Sequence, residues 1–474
     1  MIENSNESEC RDLPDVQSHG KQQTEIMVDS IKPSPEALLA APLAASTLNL
    51  SAAKLLELDK ILEHIANFAL SPITAEQLRE LRPLREVARI QHQLDEVTEM
   101  RALVDGEEHF PMDYLPDLRL TLQHLQIVGR ALEAQQLIEV ARFLGCSRRV
   151  RGYLMARRGK YPLLANRAQT LIPLQDVELA IETAIHFTDG TVKDSASPVL
   201  ARLRKEIRRA IAETRDRLQK ILKNLAARDL LQEELITLRD GRLVLMLKDE
   251  FRHRVPGIVH DESASGRTAF VEPMESVEMN NRIRQLQSAE REEIERILLA
   301  LSNRLRVDLP ALQANFSSLV HFDFVHSKAR FSQQLQCAAP KLQPRGALRL
   351  LGARHPLLLL SSSHRLAHAA INDQQKQSEH EKVVPLDLEL GNEVVTLILT
   401  GPNAGGKTVA LKTVGLLALM TSCGLPIPAQ PDSQIPIFRN IFADIGDRQS
   451  IEEDLSTFTS RMARAVEILS QATE

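Results

Sequence analysis

Tryptophan is absent and tyrosine nearly so: the 474 residues hold no Trp, 3 Tyr and 13 Phe, and aromatics make up 3% of the chain. So few rings exclude a platform on which unpaired bases stack one after another. Cysteine is scarce as well. Cys10, Cys146, Cys337 and Cys423 lie far apart and form no C-x-x-C pair, which excludes a zinc ribbon or a disulfide frame and reads as reduced thiols. No run of 18 apolar residues occurs, and the opening MIENSNESEC lacks the basic and apolar regions of a signal peptide. No membrane partner is expected, and the expected compartment is the cytoplasm. The net charge of -5 provides no global basic field, so any nucleic-acid site must be local. What is present is ordinary for a water-soluble chain, 43% hydrophobic and 26% charged, with length for two to four domains.

The most informative stretch is Gly401-Pro402-Asn403-Ala404-Gly405-Gly406-Lys407-Thr408, which matches G-x-x-x-x-G-K-[ST], the loop that cradles nucleotide phosphates. Val394 to Leu399 before it is a short β-branched apolar run that reads as a buried strand. Val409 to Cys423 after it reads as a helix stopped by Gly424 and Pro426. Strand, glycine loop and helix is what the chemistry needs. Glycines let backbone N–H groups approach phosphates, the helix N-terminus adds about half a positive charge, and Lys407 adds a full one. Thr408 can then ligate Mg²⁺. ATP and Mg²⁺ are the expected cofactors.

The organisation along the chain is read from composition and period. Residues 1–46 are polar and without periodicity, a disordered leader. A helical core domain covers 47–195, with Ser51 as its first N-cap and breaks at Pro72, Pro83, Pro111, Pro116 and Pro162. Its basic stretch from Arg148 to Lys160 reads either as a solvated helix end or as a phosphate contact. Ser197-Pro198 opens a lever helix over 196–238, with Leu203, Ile207, Ile211, Leu218, Ile221, Leu222 and Leu225 on one stripe and nine cations on the others. A small β insert occupies 239–273, its charges nearly cancelling, and a returning lever helix and core follow over 274–336 with Met279, Ile283, Leu286, Ile294, Ile297, Leu301 and Leu305 in near-heptad spacing. A nucleotide domain spans 340–474, interrupted by a polar surface loop at 361–382.

The loop GPNAGGKT, the downstream IFADIGDRQSIEEDLSTFTSRM, the insert GIVHDESASGRTAFVEP and the opening LELDKILEHIANFALSP resemble the MutS family of DNA-repair ATPases. The likeness is to its second type, the bacterial branch linked to recombination control, over about residues 50–474. It implies a multidomain fold: an α-helical core with long lever helices and a small β clamp insert, followed by an α/β P-loop ATPase domain of the ABC type, here incomplete. The implied function is ATP-dependent binding of branched or mismatched DNA in mismatch repair or recombination control, by a full-length homodimer. A second reading is ribosome-associated quality control by the same ATPase. The resemblance places Arg354-His355-Pro356 and Val383-Val384-Pro385 near the nucleotide base, although Leu386 stands where a polar residue is expected. It also places Asp444, Gly446, Asp447 and Gln449 beside the active site, and Ser456-Thr457-Phe458 as the signature reaching the partner's nucleotide. DNA contacts are expected at the insert, from Arg252, Arg254 and Arg267.

One element of the chemistry is not found. A P-loop ATPase holds Mg²⁺ and its attacking water with a strand ending in Asp, usually followed by Glu. The one apolar run after Thr408 that ends in Asp is Asn440 to Asp444, and Ile445 follows it. The chain is therefore expected to bind ATP without hydrolysing it, as the N-terminal portion of a longer protein whose possible nuclease domain lies further on; the catalytic residues stay unknown.

Overall fold

The computed structural model describes residues 50–106, 109–264, 266–362, 383–391, 394–402 and 406–445, with a few positions between 462 and 470. All belong to one compact unit, Thr47–Glu474; the expected leader lies outside the described residues. Eight helices come first: α1 Leu50–Leu55, α2 Leu58–Ala66, α3 Pro72–Arg79, α4 Val87–Val104, α5 Arg119–Gln126, α6 Ala134–Ala156, α7 Pro162–Ala168 and α8 Gln175–Ala184. Then come α9 Pro198–Ala226, strands β1 Leu231–Arg239, β2 Arg242–Lys248, β3 Gly257–Glu262 and β4 Thr268–Pro273, and helices α10 Met274–Val307 and α11 Leu309–Gln334. Strands β5 Lys341–Gln343, β6 Leu348–Ala353 and β7 Leu386–Leu390, helix α12 Lys407–Ser422 and strand β8 Gln434–Pro436 follow.

Helix α11 is the axis of the core. Leu312, Leu319, Phe322, Ala329 and Phe331 are buried on different sides of it, as expected of a helix wrapped by protein on every face. Its buried Asp323 accepts hydrogen bonds from the amides of Leu70 (3.0 Å) and Ser71 (3.0 Å), so it satisfies the start of α3 from another element. Prolines 72 and 162 sit in the first turns of α3 and α7, where a missing N–H costs nothing. Ser51 does not cap: α1 already includes Leu50, and the chain breaks at Glu57, which adopts a left-handed conformation (φ 64°) between α1 and α2.

Helices α9 and α10 form an antiparallel arm, 29 and 34 residues long, about 43 and 51 Å at 1.5 Å per residue. Ser197 caps α9 as expected, its Oγ accepting the Val199 amide at 3.1 Å. The buried stripe of α9 runs through Leu200, Leu203, Ile207, Leu218, Leu222 and Leu225. The tip sheet is antiparallel in the order β1-β2-β4-β3. Two expected boundaries move here. The helix ends at Ala226 rather than 238, and the insert begins at Leu231 rather than 239. The cause is a hairpin: Asp240 (φ 48°) and Gly241 (φ 74°) turn β1 directly into β2, so 231–239 is drawn into the ladder. Leu230 and Leu231 then bury under the sheet with Leu222, Leu245 and Val271.

The second sheet has the order β5-β8-β6-β7, with β5 parallel to β8 and the other pairs antiparallel. The expected buried strand at 394–399 is not formed. Beyond an isolated Gly391–Val394 bridge, residues 395–400 have no regular structure, and Val395 and Ile398 are 83% and 80% exposed. Among the described residues no neighbouring strand offers its backbone groups a ladder, and an apolar run without one does not become a strand.

Candidate functional site

Helix α12 begins inside the glycine loop. Gly406 is its N-cap residue in the left-handed region (φ 77°), and Gly401 also has a positive φ (141°). Nothing lies within 4 Å of a Cβ built at either position, so the conformation and not crowding calls for glycine. The first N–H groups of α12 have no acceptor within the helix, and they open toward solvent with the exposed Thr408. Lys407 Nζ donates to the loop's own carbonyls, Gly401 O and Pro402 O. A lysine folded onto its loop, beside free helix-start amides and two glycines of positive φ, fits a phosphate chain. Asn403, Ala404 and Gly405 lie outside the described residues.

The core grips α12 at three levels. In its second turn, Lys412 Nζ meets Glu57 Oε2 at 3.0 Å; hydrogen bonding to Lys60, ahead of Lys412, holds that carboxyl below its ordinary range. One turn further on, Gly415 lets Leu56 seat against the backbone, where an added Cβ would stand 2.9 Å from both Leu56 methyls. At the C-terminal end, Gly424 (φ 62°) closes the helix, with the Leu425 amide bonding Met420 O (3.0 Å) and the Gly424 amide bonding Thr421 O (2.9 Å). That is the double closure of a left-handed C-cap. Two carbonyls left over are met from the core: Leu84 N reaches Ser422 O at 2.8 Å, and Lys328 Nζ of α11 reaches Cys423 O at 3.0 Å.

Lys328 was not visible as a functional residue in the sequence. It is 1% exposed; its ammonium lies 4.5 Å from the Phe324 ring centre and 3.4 Å from Gln93 Oε1, with no carboxylate in ion-pair contact among the described residues. Burial pushes its pKa down to about 8, and the neighbouring Cys423 thiol is pushed up to about 12. The signal available was spacing: Lys328 stands four residues after Phe324 and three before Phe331, on an apolar face of α11.

Elsewhere the expected residues are placed as follows. His355 is 6% exposed, its Nδ1 without a hydrogen-bond partner; burial lowers its pKa, against the opposing pull of Glu57 and with a smaller push from Lys412. The Arg354 amide donates to Pro428 O at 2.9 Å, Val384 is exposed, and Leu386 opens β7. Asp444 is exposed in an irregular segment. Gly446, Asp447, Gln449, Ser456, Thr457 and Phe458 lie outside the described residues. In the basic stretch of α6, Arg148 pairs with Glu178 at 2.9 Å, and Arg157 stacks 3.9 Å over Tyr153.

At the arm tip, Arg252 pairs with Asp249 (3.3 Å) and Glu262 (2.9 Å), and Arg254 packs 5.0 Å from the Phe251 ring centre. Arg267 is exposed. The arm itself is electrically asymmetric. Helix α9 carries nine basic and three acidic side chains, whereas α10 carries six of each. Lys205, Arg215, Lys220 and Lys223 of α9 are exposed and lack an ion-pair partner among the described residues. The tip is fixed to the arm by buried Glu272, which accepts from Arg242 (2.8 Å), His260 (2.6 Å) and Asn280 (2.8 Å). Burial alone would raise its pKa, but these three donors together hold it below the ordinary carboxylate range. Among the described residues no three His, Cys, Asp or Glu side chains gather as a metal site.

A helical core, a two-helix arm with a β tip, and a glycine loop opening a core-gripped helix define the class: an arm-bearing protein whose core holds a helix that starts from a glycine loop. A family model described as MutS domain V matches residues 397–474. Proteins named Endonuclease MutS2 are similar over most of the chain. That of Pelotomaculum thermopropionicum is 40% identical over 421 residues, 89% of this chain and 51% of the relative. That of Geobacillus thermodenitrificans is 38% identical, covering 89% and 51%, and that of Listeria innocua 38%, covering 88% and 50%. The chain belongs to the MutS family, in its second type, and it spans about half the length of the curated relatives it matches.

Proposed function

We propose that this chain binds ATP at the loop 401–408 and, under control of that nucleotide, binds duplex DNA along its arm. The observation that carries the reading is the connection: the helix opened by the loop is held by the same core whose axis, α11, continues through Asp308 into the arm helix α10. In this reading the α12 amides and Lys407 take the phosphates, and Thr408 holds Mg²⁺, which supplies charge neutralisation when bound. The surplus positive charge of α9 supplies the DNA contact, with Arg267 at the tip; Arg252 and Arg254 already have partners within the tip. The scarcity of aromatics favours a duplex backbone over unpaired bases. We place the protein in the cytoplasm as a homodimer in its full-length form; among the described residues no helix is long and apolar enough to cross a membrane. The relatives' name specifies an endonuclease, and for this chain the proposal is limited to binding.

The test is a titration of a labelled branched duplex and a linear duplex by fluorescence anisotropy, with and without ATP, at several salt concentrations. Replacing Lys205, Lys220 and Lys223 together by Gln should flatten the log–log salt slope by roughly 0.9 for each phosphate that is no longer neutralised. Binding that ignores both ATP and these three residues refutes the reading. Co-sedimentation with ribosomes that survives the triple replacement would favour the quality-control reading instead.

A further inference from the structure

We infer that Lys328 is the positioning residue that couples the phosphate loop to the arm, by carrying a buried cation from the core axis to the far end of the loop's own helix. The inference rests on the proposed nucleotide site. Helix α12 is 16 residues long, about 24 Å. Phosphate charge would arrive at its N-terminus, and its C-terminus carries the negative end of the helix dipole. Nearly every buried lysine is matched to a carboxylate. Lys328 instead spends its charge on Cys423 O (3.0 Å), with Gly424 O (3.5 Å) and Gln93 Oε1 (3.4 Å) around it. The contact is thus specific to the end of α12, and it is tight: a Cβ on Gly424 would come within 2.3 Å of Gln93 Oε1.

The geometry beyond Lys328 leads to the arm. One turn earlier on α11, Asp323 holds the start of α3; seven residues before Lys328, His321 bonds the buried Glu96 of α4 at 3.1 Å. At the head of α11, one intervening residue, Asp308, joins it to α10, whose Arg306 is anchored to Leu125 O at 2.9 Å. A shift of α12 along its axis when its loop closes on phosphates therefore displaces Lys328, and with it a helix fixed on several sides that continues into α10. A charge contact that cannot be replaced by water at this depth passes the displacement on, where an apolar contact would let the helices slide.

The experiment is hydrogen–deuterium exchange on the full chain with and without a non-hydrolysable ATP analogue, for the parent, Lys328→Met and Lys328→Gln, with analogue affinity measured by calorimetry. In the parent, the analogue should slow exchange at least threefold in α11 and in the last turns of α10, as well as in α12. Both variants should melt near the parent temperature and bind the analogue within threefold of the parent, yet confine protection to the loop and the first turns of α12. Protection of α11 and α10 that persists in either folded variant overturns the inference. So does loss of analogue binding in a folded variant, which would place Lys328 in loop formation, and so does a parent that binds the analogue without protection beyond α12. A parent that fails to bind the analogue at all refutes the nucleotide site itself, a result the calorimetry separates from the others.

Discussion

Replacing Lys328 by methionine should remove a specific slope from the pH dependence of stability. In the folded chain this lysine is pushed down to about 8, against an ordinary value of 10.5. The folded state thus disfavours the proton that the unfolded chain keeps. Below pH 8 both states are protonated and the penalty of burying the charge is fully present. Between pH 8 and 10.5 the unfolded state binds more protons than the folded one, so stability rises with pH across that window. The gap between about 8 and 10.5, at about 1.36 kcal/mol per unit, is roughly 3 kcal/mol. Methionine fills similar volume without charge, and it leaves Cys423 O without its donor, which costs about 1–3 kcal/mol. At pH 7 the two effects oppose, so the variant should lie within roughly 2 kcal/mol of the parent. The assay is urea unfolding followed by circular dichroism, because the chain has no Trp to report. What matters is the difference between parent and variant at pH 7, 8, 9 and 10, in which other titrating groups cancel. A difference that stays flat from pH 8 to 10 would show that Lys328 keeps its proton in the fold as it does in the unfolded chain, so that burial does not lower its pKa as described.

Three further outcomes are expected. Lys407→Ala removes the one side-chain cation of the loop, where charge-assisted phosphate bonds are worth about 1.5–3 kcal/mol each; ATP affinity by calorimetry should fall at least tenfold with an unchanged melting curve. Glu272→Ala strands Arg242, His260 and Asn280 at the tip joint; it should cost about 3–5 kcal/mol, read as faster amide exchange in β1–β4 while α6 is unaffected. Because the Glu272 carboxyl is held low, its contribution is complete above the ordinary carboxylate range and fades as pH falls through the lowered value, a loss the variant should not show. Gly257→Ala would put a Cβ 2.4 Å from the Glu272 backbone oxygen; that atom belongs to the paired strand and cannot rotate away, so β3–β4 pairing should weaken by about 1–3 kcal/mol in a thermal melt.

Period and punctuation carried much of the arm. The α9 stripe and its Ser197-Pro198 start follow from helical spacing and capping chemistry, and the stop at Gly424 follows from the need for a residue that tolerates positive φ. The helix-to-strand change at Ala226–Leu231 was missed because 231–239 is rich in Leu, Glu and Gln, which favour helix locally. The decisive signal was Asp240-Gly241, a pair suited to a two-residue hairpin, and it sits beyond the segment it controls. Val394 to Leu399 failed in the opposite way. Its composition favours a strand, but a strand exists only with a neighbour, and neighbours are a property of the fold.

Lys328 shows a deeper limit. A lysine within a helix reads as a solvated residue on almost any one-dimensional rule, and only its spacing from Phe324 and Phe331 points the other way. Its burial is set by where α12 ends, 95 residues later along the chain. The same holds for Asp323 and Glu272, whose hydrogen-bond partners come from other elements. In each case a charged side chain is held inside because it satisfies backbone or polar groups at the end or edge of another element: the start of α3, the close of α12, the joint between tip and arm. Such groups tie the tip to the arm and the far end of the loop's helix to the core, while apolar stripes merely hold the helices side by side. In the proposed reading, a displacement entering at the loop meets fixed polar joints on its way to the arm, which is why charge-removing substitutions at those joints, rather than cavities in the apolar core, are the perturbations that should separate nucleotide binding from its consequence.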